Sequence, residues 1–186
     1  MDSDPSSLPD ALREPVDNWL QRNGEQPHVD ALRRLVACSE FAGALVLRDT
    51  RWFLDNVEGF DHAPDAGGLE SLVDDADDVE SVKRILRRFR NRFMLHVLWR
   101  EVFGLATLDE TLRSLSSLAD RALDVATRCA EQTLERRYGR ARDRDGRKVP
   151  LVILGMGKLG GLELNFSSDV DLIFLYPDNG ETDGAR

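Results

Sequence analysis

The chain has 186 residues, 41% hydrophobic and 32% charged, with a formal net charge of −9. That length suits one large domain or one and a half ordinary ones, and no apolar run approaches the roughly 18–20 residues that span a bilayer. The negative charge argues against a binder that neutralises nucleic-acid phosphates over a wide surface.

The first twenty residues are acidic and rich in Pro and Ser, without the basic start and apolar stretch of a secretory signal. The expectations are therefore no membrane, no nucleic acid and a cytoplasmic setting. Residues 1–27 carry Pro5, Pro9, Pro15, Gly24 and Pro27. They read as a loosely ordered lead-in, with room for a short helical patch over Val16–Gln21.

A helical region is expected over 28–148. Val29, Leu32, Leu35 and Val36 recur at spacings of three and four. Ser39 is placed to cap a second helix through Phe41, Leu45 and Val46, because its hydroxyl can accept a free first-turn amide. Trp52, Phe53 and Val57 predict a short helix, and Gly59 to Gly68 reads as a loop. Near Asp78 the best-defined helix begins, with Val82, Ile85, Leu86, Phe89 and Phe93 in one stripe. Five acids (Asp74, Asp75, Asp77, Asp78, Glu80) lie at or before its first turn, where they favour the positive end of the helix dipole.

Lys83, Arg84, Arg87, Arg88, Arg90 and Arg92 fill the opposite arc of this helix. A cationic face of this kind can meet phosphate or an acidic partner. The preferred reading is a solvated face balanced by the acids before it. After Met94 the pattern is apolar most of the way round, which predicts burial on all sides. A third long helix follows from Asp109, with Leu112, Leu115, Leu118, Ala122, Val125 and Cys129 inward, and ends at Tyr138-Gly139. Ala141–Lys148 reads as a charged linker. Cys38 and Cys129 have neither Cys-x-x-Cys spacing nor nearby histidines, so they are expected to be buried reduced thiols. His28, His62 and His96 make no metal-binding pair, and His96 reads as a satisfied core residue.

Past Val149 the character changes. Leu151 to Leu154 is a run of β-formers, read as a buried strand. Gly155-Met156-Gly157-Lys158-Leu159-Gly160-Gly161 is a turn whose glycines permit unusual backbone angles and close approach of main-chain amides to a ligand. Leu162 to Leu164 can form one helical turn, Asn165 to Ser168 a second turn, and Asp169 to Tyr176 a second strand. In a strand, residues two apart point to the same side, so Asp169 and Asp171 are expected to project together. Two ionised carboxylates side by side call for a cation between them. Oxygen-only ligands suit Mg²⁺, completed by phosphate oxygens and water. A glycine turn facing such an ion is what in-line displacement at phosphorus needs. An isolated Asp-x-Asp is more simply a pair of solvated acids, but the strand, glycine turn and Ser-Ser dipeptide before it outweigh that reading.

Gly155, Gly157 and Gly160 also satisfy G-x-G-x-x-G, the dinucleotide-binding fingerprint. That fold needs a crossover of at least about ten to twelve residues before its next parallel strand. Only seven residues lie between Gly161 and Asp169. The P-loop pattern fails as well, since Leu159 follows Lys158 and no Gly-x-x-x-x-Gly precedes it.

The run from Gly155 to Gly161, then Glu163-Leu164-Asn165, then Ser167-Ser168-Asp169-Val170-Asp171-Leu172-Ile173, resembles the bacterial bifunctional glutamine synthetase adenylyltransferase/adenylyl-removing enzymes. These belong to the polymerase-β-like nucleotidyltransferase superfamily. Ser39-Glu40-Phe41 and the stretch from Leu86 to Arg100 resemble the helical lead-in of the same family. In the superfamily pattern, an apolar residue and Gly precede Gly or Ser, a spacer and Asp-x-Asp. Either Lys158 takes the Gly/Ser place here, or the Gly160-Gly161 pair takes it with a shorter spacer.

The resemblance implies an α+β protein, a mostly helical region followed by the first two strands of a nucleotidyltransferase domain over 149–186. It implies Asp169 and Asp171 as catalytic metal ligands for Mg²⁺. Gly157, Lys158, Gly160 and Gly161 would face the nucleotide phosphates, and Ser168 would position the first acid or a phosphate oxygen. The version seen here is similar to the family's amino-terminal domain, which removes AMP from glutamine synthetase by phosphorolysis and releases ADP. The whole enzyme also adenylylates the synthetase with ATP and responds to PII-type nitrogen signalling proteins. The superfamily's third carboxylate comes from a later strand, and Pro177–Arg186 reads as polar loop. The chain is thus expected to be a fragment, with little or no activity alone. The alternative is a non-catalytic helical module that binds glutamine synthetase or a PII protein through the cationic face.

Overall fold

The structure, a computed structural model, describes residues 10–23, 28–74, 76 and 78–184. In chain order the elements are α1 (Asp10–Asn23), α2 (Val29–Cys38), α3 (Glu40–Arg48), α4 (Thr50–Asn56), a 3-10 turn (Val57–Asp61), α5 (Leu69–Val73), α6 (Val79–Val102), α7 (Leu108–Tyr138), β1 (Ala141–Arg142), β2 (Val152–Gly155), α8 (Gly157–Gly160), β3 (Leu172–Leu175) and β4 (Glu181–Thr182). Helices dominate and the short strands pair antiparallel near the C-terminal end, as expected for the α+β class. Among the described residues no helix is long and apolar enough to cross a membrane.

The elements fall into two compact units. One holds α1 to α4, the 3-10 turn and α6 from Asn91; the other holds α5, α6 up to Arg90, α7, α8 and the strands.

In the first unit the apolar positions of α2 and α3 face inward: Leu32, Leu35, Val36, Leu45 and Val46 are buried. The rings of Phe53, Phe60 and Trp99 meet among them, with centroids 5.8 to 6.2 Å apart. Ser39 Oγ accepts the Ala42 amide at 3.2 Å, the predicted cap of α3. α1 is longer than the expected patch at Val16–Gln21, and so replaces much of the loosely ordered lead-in with a helix. Val16, Trp19 and Leu20 are buried, and Trp19 Nε1–H donates to Thr50 Oγ1 at 2.8 Å. Burial of that stripe outweighs the helix-breaking tendency of Pro15. Pro5, Pro9, Gly24 and Pro27 lie outside the described residues, as do Asp75 and Asp77.

The expected loop at 59–68 starts inside the 3-10 turn, whose end is held by the buried Arg100. Its guanidinium donates to the carbonyls of Phe60, Asp61 and Leu105. His96 is half-buried, stacked on Phe60 at 4.2 Å, with Nε2 2.8 Å from the His62 carbonyl oxygen. It is the satisfied histidine the pattern predicts. From Asn91 to Arg100 every residue of α6 is buried or half-buried, matching its all-round apolar character. Cys38 is exposed rather than buried, because it closes α2 where the inward stripe runs out.

The cations of α6 largely meet partners nearby. Arg92 pairs with Asp49 at 2.7 Å and lies over the Trp52 ring. Lys83 pairs with Glu80 at 2.8 Å, and Arg84 donates to Ser81 Oγ. Asp78 caps the helix by accepting the Ser81 amide at 2.6 Å, a bond that holds its carboxyl below the usual value.

In the second unit α7 buries Leu115, Ser116, Leu118 and Val125, while Leu112, Ala122 and Cys129 are half-buried. α5, absent from the sequence reading, starts after Gly68 (φ 82°). It is tied to α7 by Glu70, which pairs with Arg121 and Arg128. Ala141–Lys148 is a folded turn rather than a linker. The Asp143 carboxylate accepts the amides of Asp145 and Arg147, and β1 pairs with β4 in the stretch expected to be loop. Asp183 takes an ion pair from Arg142 and the Arg140 amide. The charges that suggested a solvated linker are those that fold it.

Candidate active site at the glycine turn

β2 and β3 pair antiparallel, with Val152 opposite Leu175 and Gly155 opposite Leu172. Two strands are where the sequence places them, but β3 starts at Leu172 and not at Asp169. The register explains the difference. β2 ends at Gly155, and Gly157 at φ 54° turns the chain away, so Asp169 and Val170 have no strand opposite them. One further bond extends the ladder: the Met156 amide donates to the Asp171 carbonyl at 2.9 Å. The strands are also more exposed than expected. Val152, Leu154, Ile173 and Phe174 are each more than 40% exposed, since a two-stranded sheet has two open faces and no layer of described residues covers them.

The helical turn expected at Leu162–Leu164 lies earlier, at α8, inside the glycine run. Its geometry sorts the glycines. Gly157 needs its left-handed φ, which costs an L-residue energy that glycine avoids. At Gly160 a Cβ would stand 2.5 Å from the Gly155 carbonyl oxygen, so the missing side chain lets α8 close onto the end of β2. A Cβ on Gly155 would in turn meet Leu159 at 2.9 Å, and Leu159 is buried. The Gly160 and Gly161 amides donate to the carbonyls of Met156 and Gly157. The amides of Gly157, Lys158 and Leu159 open the helix, where no intrahelical acceptor exists. Lys158 is exposed.

After α8 the chain makes a tight reversal. Leu162 takes a left-handed φ of 59°, and the Glu163 amide donates to the Lys158 carbonyl at 2.7 Å. Leu164 is buried and its amide donates to Ser116 Oγ of α7 at 3.2 Å. Ser116 also donates to the Leu112 carbonyl at 2.9 Å. Asn165 then folds the predicted Asn-Phe-Ser-Ser turn. Its carbonyl accepts the Ser168 amide at 3.2 Å and its Oδ1 accepts the Ser168 hydroxyl at 2.5 Å. No helix lies between the glycine turn and the acids.

Asp169 and Asp171 are both solvent-exposed. Their donor set is two carboxylates, hard oxygen ligands suited to Mg²⁺, which binds through one or two carboxylates and takes phosphate and water for the rest. Among the described residues no group of three His, Cys, Asp or Glu is placed to hold a metal, so a cation at these two acids would draw its remaining ligands from phosphate and water.

A family model described as glutamate-ammonia ligase adenylyltransferase matches residues 29–186. A bifunctional glutamine synthetase adenylyltransferase/adenylyl-removing enzyme of Shewanella loihica is 41% identical over 159 residues. The enzymes of the same name from Thioalkalivibrio sulfidiphilus and Pseudomonas aeruginosa are 42% identical over 163 residues and 39% over 168. These matches take in 83%, 84% and 87% of this chain but 17% of each relative.

Proposed function

This chain belongs to the glutamate-ammonia ligase adenylyltransferase family, and on that footing we propose that residues 149–186 open a polymerase-β-like nucleotidyltransferase domain that removes AMP from adenylylated glutamine synthetase. The observation that carries the reading is the tie between the glycine turn and the acid pair, Met156 N–H to Asp171 carbonyl.

The reaction is phosphorolysis. A phosphate oxygen bonds to the phosphorus of the AMP-tyrosine ester, the bond from phosphorus to the tyrosine oxygen breaks, and the tyrosine oxygen takes up a proton. ADP and unmodified synthetase result. The exposed carboxylates of Asp169 and Asp171 would hold Mg²⁺, whose charge, when bound, offsets that of the phosphates. The rest is positioning by the chain. The opening amides of α8 and the Lys158 ammonium meet phosphate oxygens, for which a helix start supplies donors. Gly160 keeps α8 against β2, and the Asn165–Ser168 bonds set the backbone from which Asp169 projects. The whole enzyme adenylylates the synthetase with ATP in the opposite sense and answers to a PII-type protein.

A chimera tests this. Residues 29–186 replace the matching segment of the Pseudomonas aeruginosa relative, and release of ADP from adenylylated synthetase is measured with Mg²⁺ and phosphate. The unaltered chimera is active, and Asp169→Asn or Asp171→Asn removes that activity. Full turnover by either variant rejects the metal role. The rival reading, a binding module built on the cationic face of α6, is weakened by the partners that Lys83, Arg84 and Arg92 have within the chain.

A further inference from the structure

We infer that Ser116 of α7 is a positioning residue for the acid pair, an inference that rests on the nucleotidyl-transfer reading above. Ser116 is fully buried, and a buried hydroxyl must find partners or lose the energy of its hydration. It finds two. Its hydrogen goes back to the Leu112 carbonyl of its own helix, and its oxygen accepts the Leu164 amide from the loop after the glycine turn. The second bond is the informative one, because it joins residues 48 apart in the chain.

The loop it grips contains a strained residue. Leu162 sits in the left-handed region without being glycine, a strained conformation that persists only where its surroundings impose it. The surroundings are the Leu162 and Glu163 amide bonds to the Leu159 and Lys158 carbonyls on one side and the Ser116 bond to Leu164 on the other. Leu164 is buried and anchors the strand of chain whose next residue, Asn165, sets Ser168 through two hydrogen bonds. Asp169 follows directly. α7 therefore reaches the acid pair through Ser116, Leu164, Asn165 and Ser168, while Met156 fixes Asp171 from the glycine side. The two acids are set by two separate anchors, and Ser116 is the one outside the motif.

The 186-residue chain tests this with Ser116→Ala and Ser116→Thr. Amide exchange is followed residue by residue, Mn²⁺ affinity by electron paramagnetic resonance, and folding by thermal melting. Ser116→Ala leaves the Leu164 amide without an acceptor, so its exchange speeds up by about ten-fold or more while Val125 and other α7 amides keep their protection. Mn²⁺ affinity falls by about ten-fold, the usual effect of losing a support behind a ligand. Ser116→Thr keeps the hydroxyl and restores both. Unchanged exchange at Leu164 in Ser116→Ala, or acceleration only together with the whole of α7, overturns the inference. Should Ser116→Ala not fold, the native chain decides: a Leu164 amide exchanging as fast as that of Asn165 overturns the role, and a protected one with Asn165 unprotected upholds it. A native chain that binds no Mn²⁺ counts against the metal reading, and the exchange measurements still judge Ser116.

Discussion

The Met156 amide donates to the Asp171 carbonyl at 2.9 Å, one residue beyond the last pair of the β2–β3 ladder. The residue that enters the glycine turn and the second acid of the pair are therefore neighbours in space as well as members of one motif. That bond gives the glycine turn and the acid pair a shared backbone reference.

Gly160→Ala and Gly157→Ala separate the roles of the glycines. At Gly160 the new Cβ meets the Gly155 carbonyl oxygen at 2.5 Å, a backbone atom that cannot swing away. The expected loss is about 1–3 kcal/mol, the range for overpacking. At Gly157 there is open space around the Cβ position, and only the left-handed φ is penalised, by about 1–2 kcal/mol. Denaturant titration should rank Gly160→Ala as the more damaging. Equal stability of the two variants removes the close-approach argument.

Ser39→Ala deletes the cap of α3, whose hydroxyl accepts the Ala42 amide at 3.2 Å. The expected cost is about 1 kcal/mol. Urea unfolding measures it, and a variant as stable as the native chain shows the cap to be idle.

His96 makes the first unit sensitive to acid. Burial lowers its pKa below 6.5, against the opposing bond to the His62 carbonyl. The folded state therefore prefers neutral imidazole more than the unfolded chain does. The stability this confers is whole above about pH 6.5 and is lost as pH falls through the folded pKa. His96→Gln should flatten the pH dependence of melting below pH 6.5. An unchanged slope in that variant assigns the sensitivity elsewhere.

The helices with a long apolar period were legible because many residues vote together. The α7 stripe of Leu115, Leu118 and Val125 is buried as the spacing demands. The glycine turn and the place of Asp171 beside it were legible because both lie close together in the chain. What escaped the sequence depends on contacts far apart along it. The extent of α1 beyond its short Val16, Trp19 and Leu20 stripe goes with Trp19 donating to Thr50, and β1 with Asp183 meeting Arg140 and Arg142, a contact that no periodicity marks. The strand begins later than the sequence suggests because Asp169 and Asp171 carry weak β character and the ladder's length is set by where β2 stops. Ser116 left a faint signal: it stands four residues from Leu112 beside an inward stripe, where a polar side chain needs a partner.

The central claim is that Asp169 and Asp171 together hold one divalent ion facing the phosphates of the glycine turn. Titrating the chain with Mn²⁺ in the presence of ADP, and following bound ion by electron paramagnetic resonance, tests it most directly. The account predicts one ion per chain, with affinity reduced by about ten-fold or more in both Asp169→Asn and Asp171→Asn. Binding of equal strength in the native chain and the two variants would contradict it.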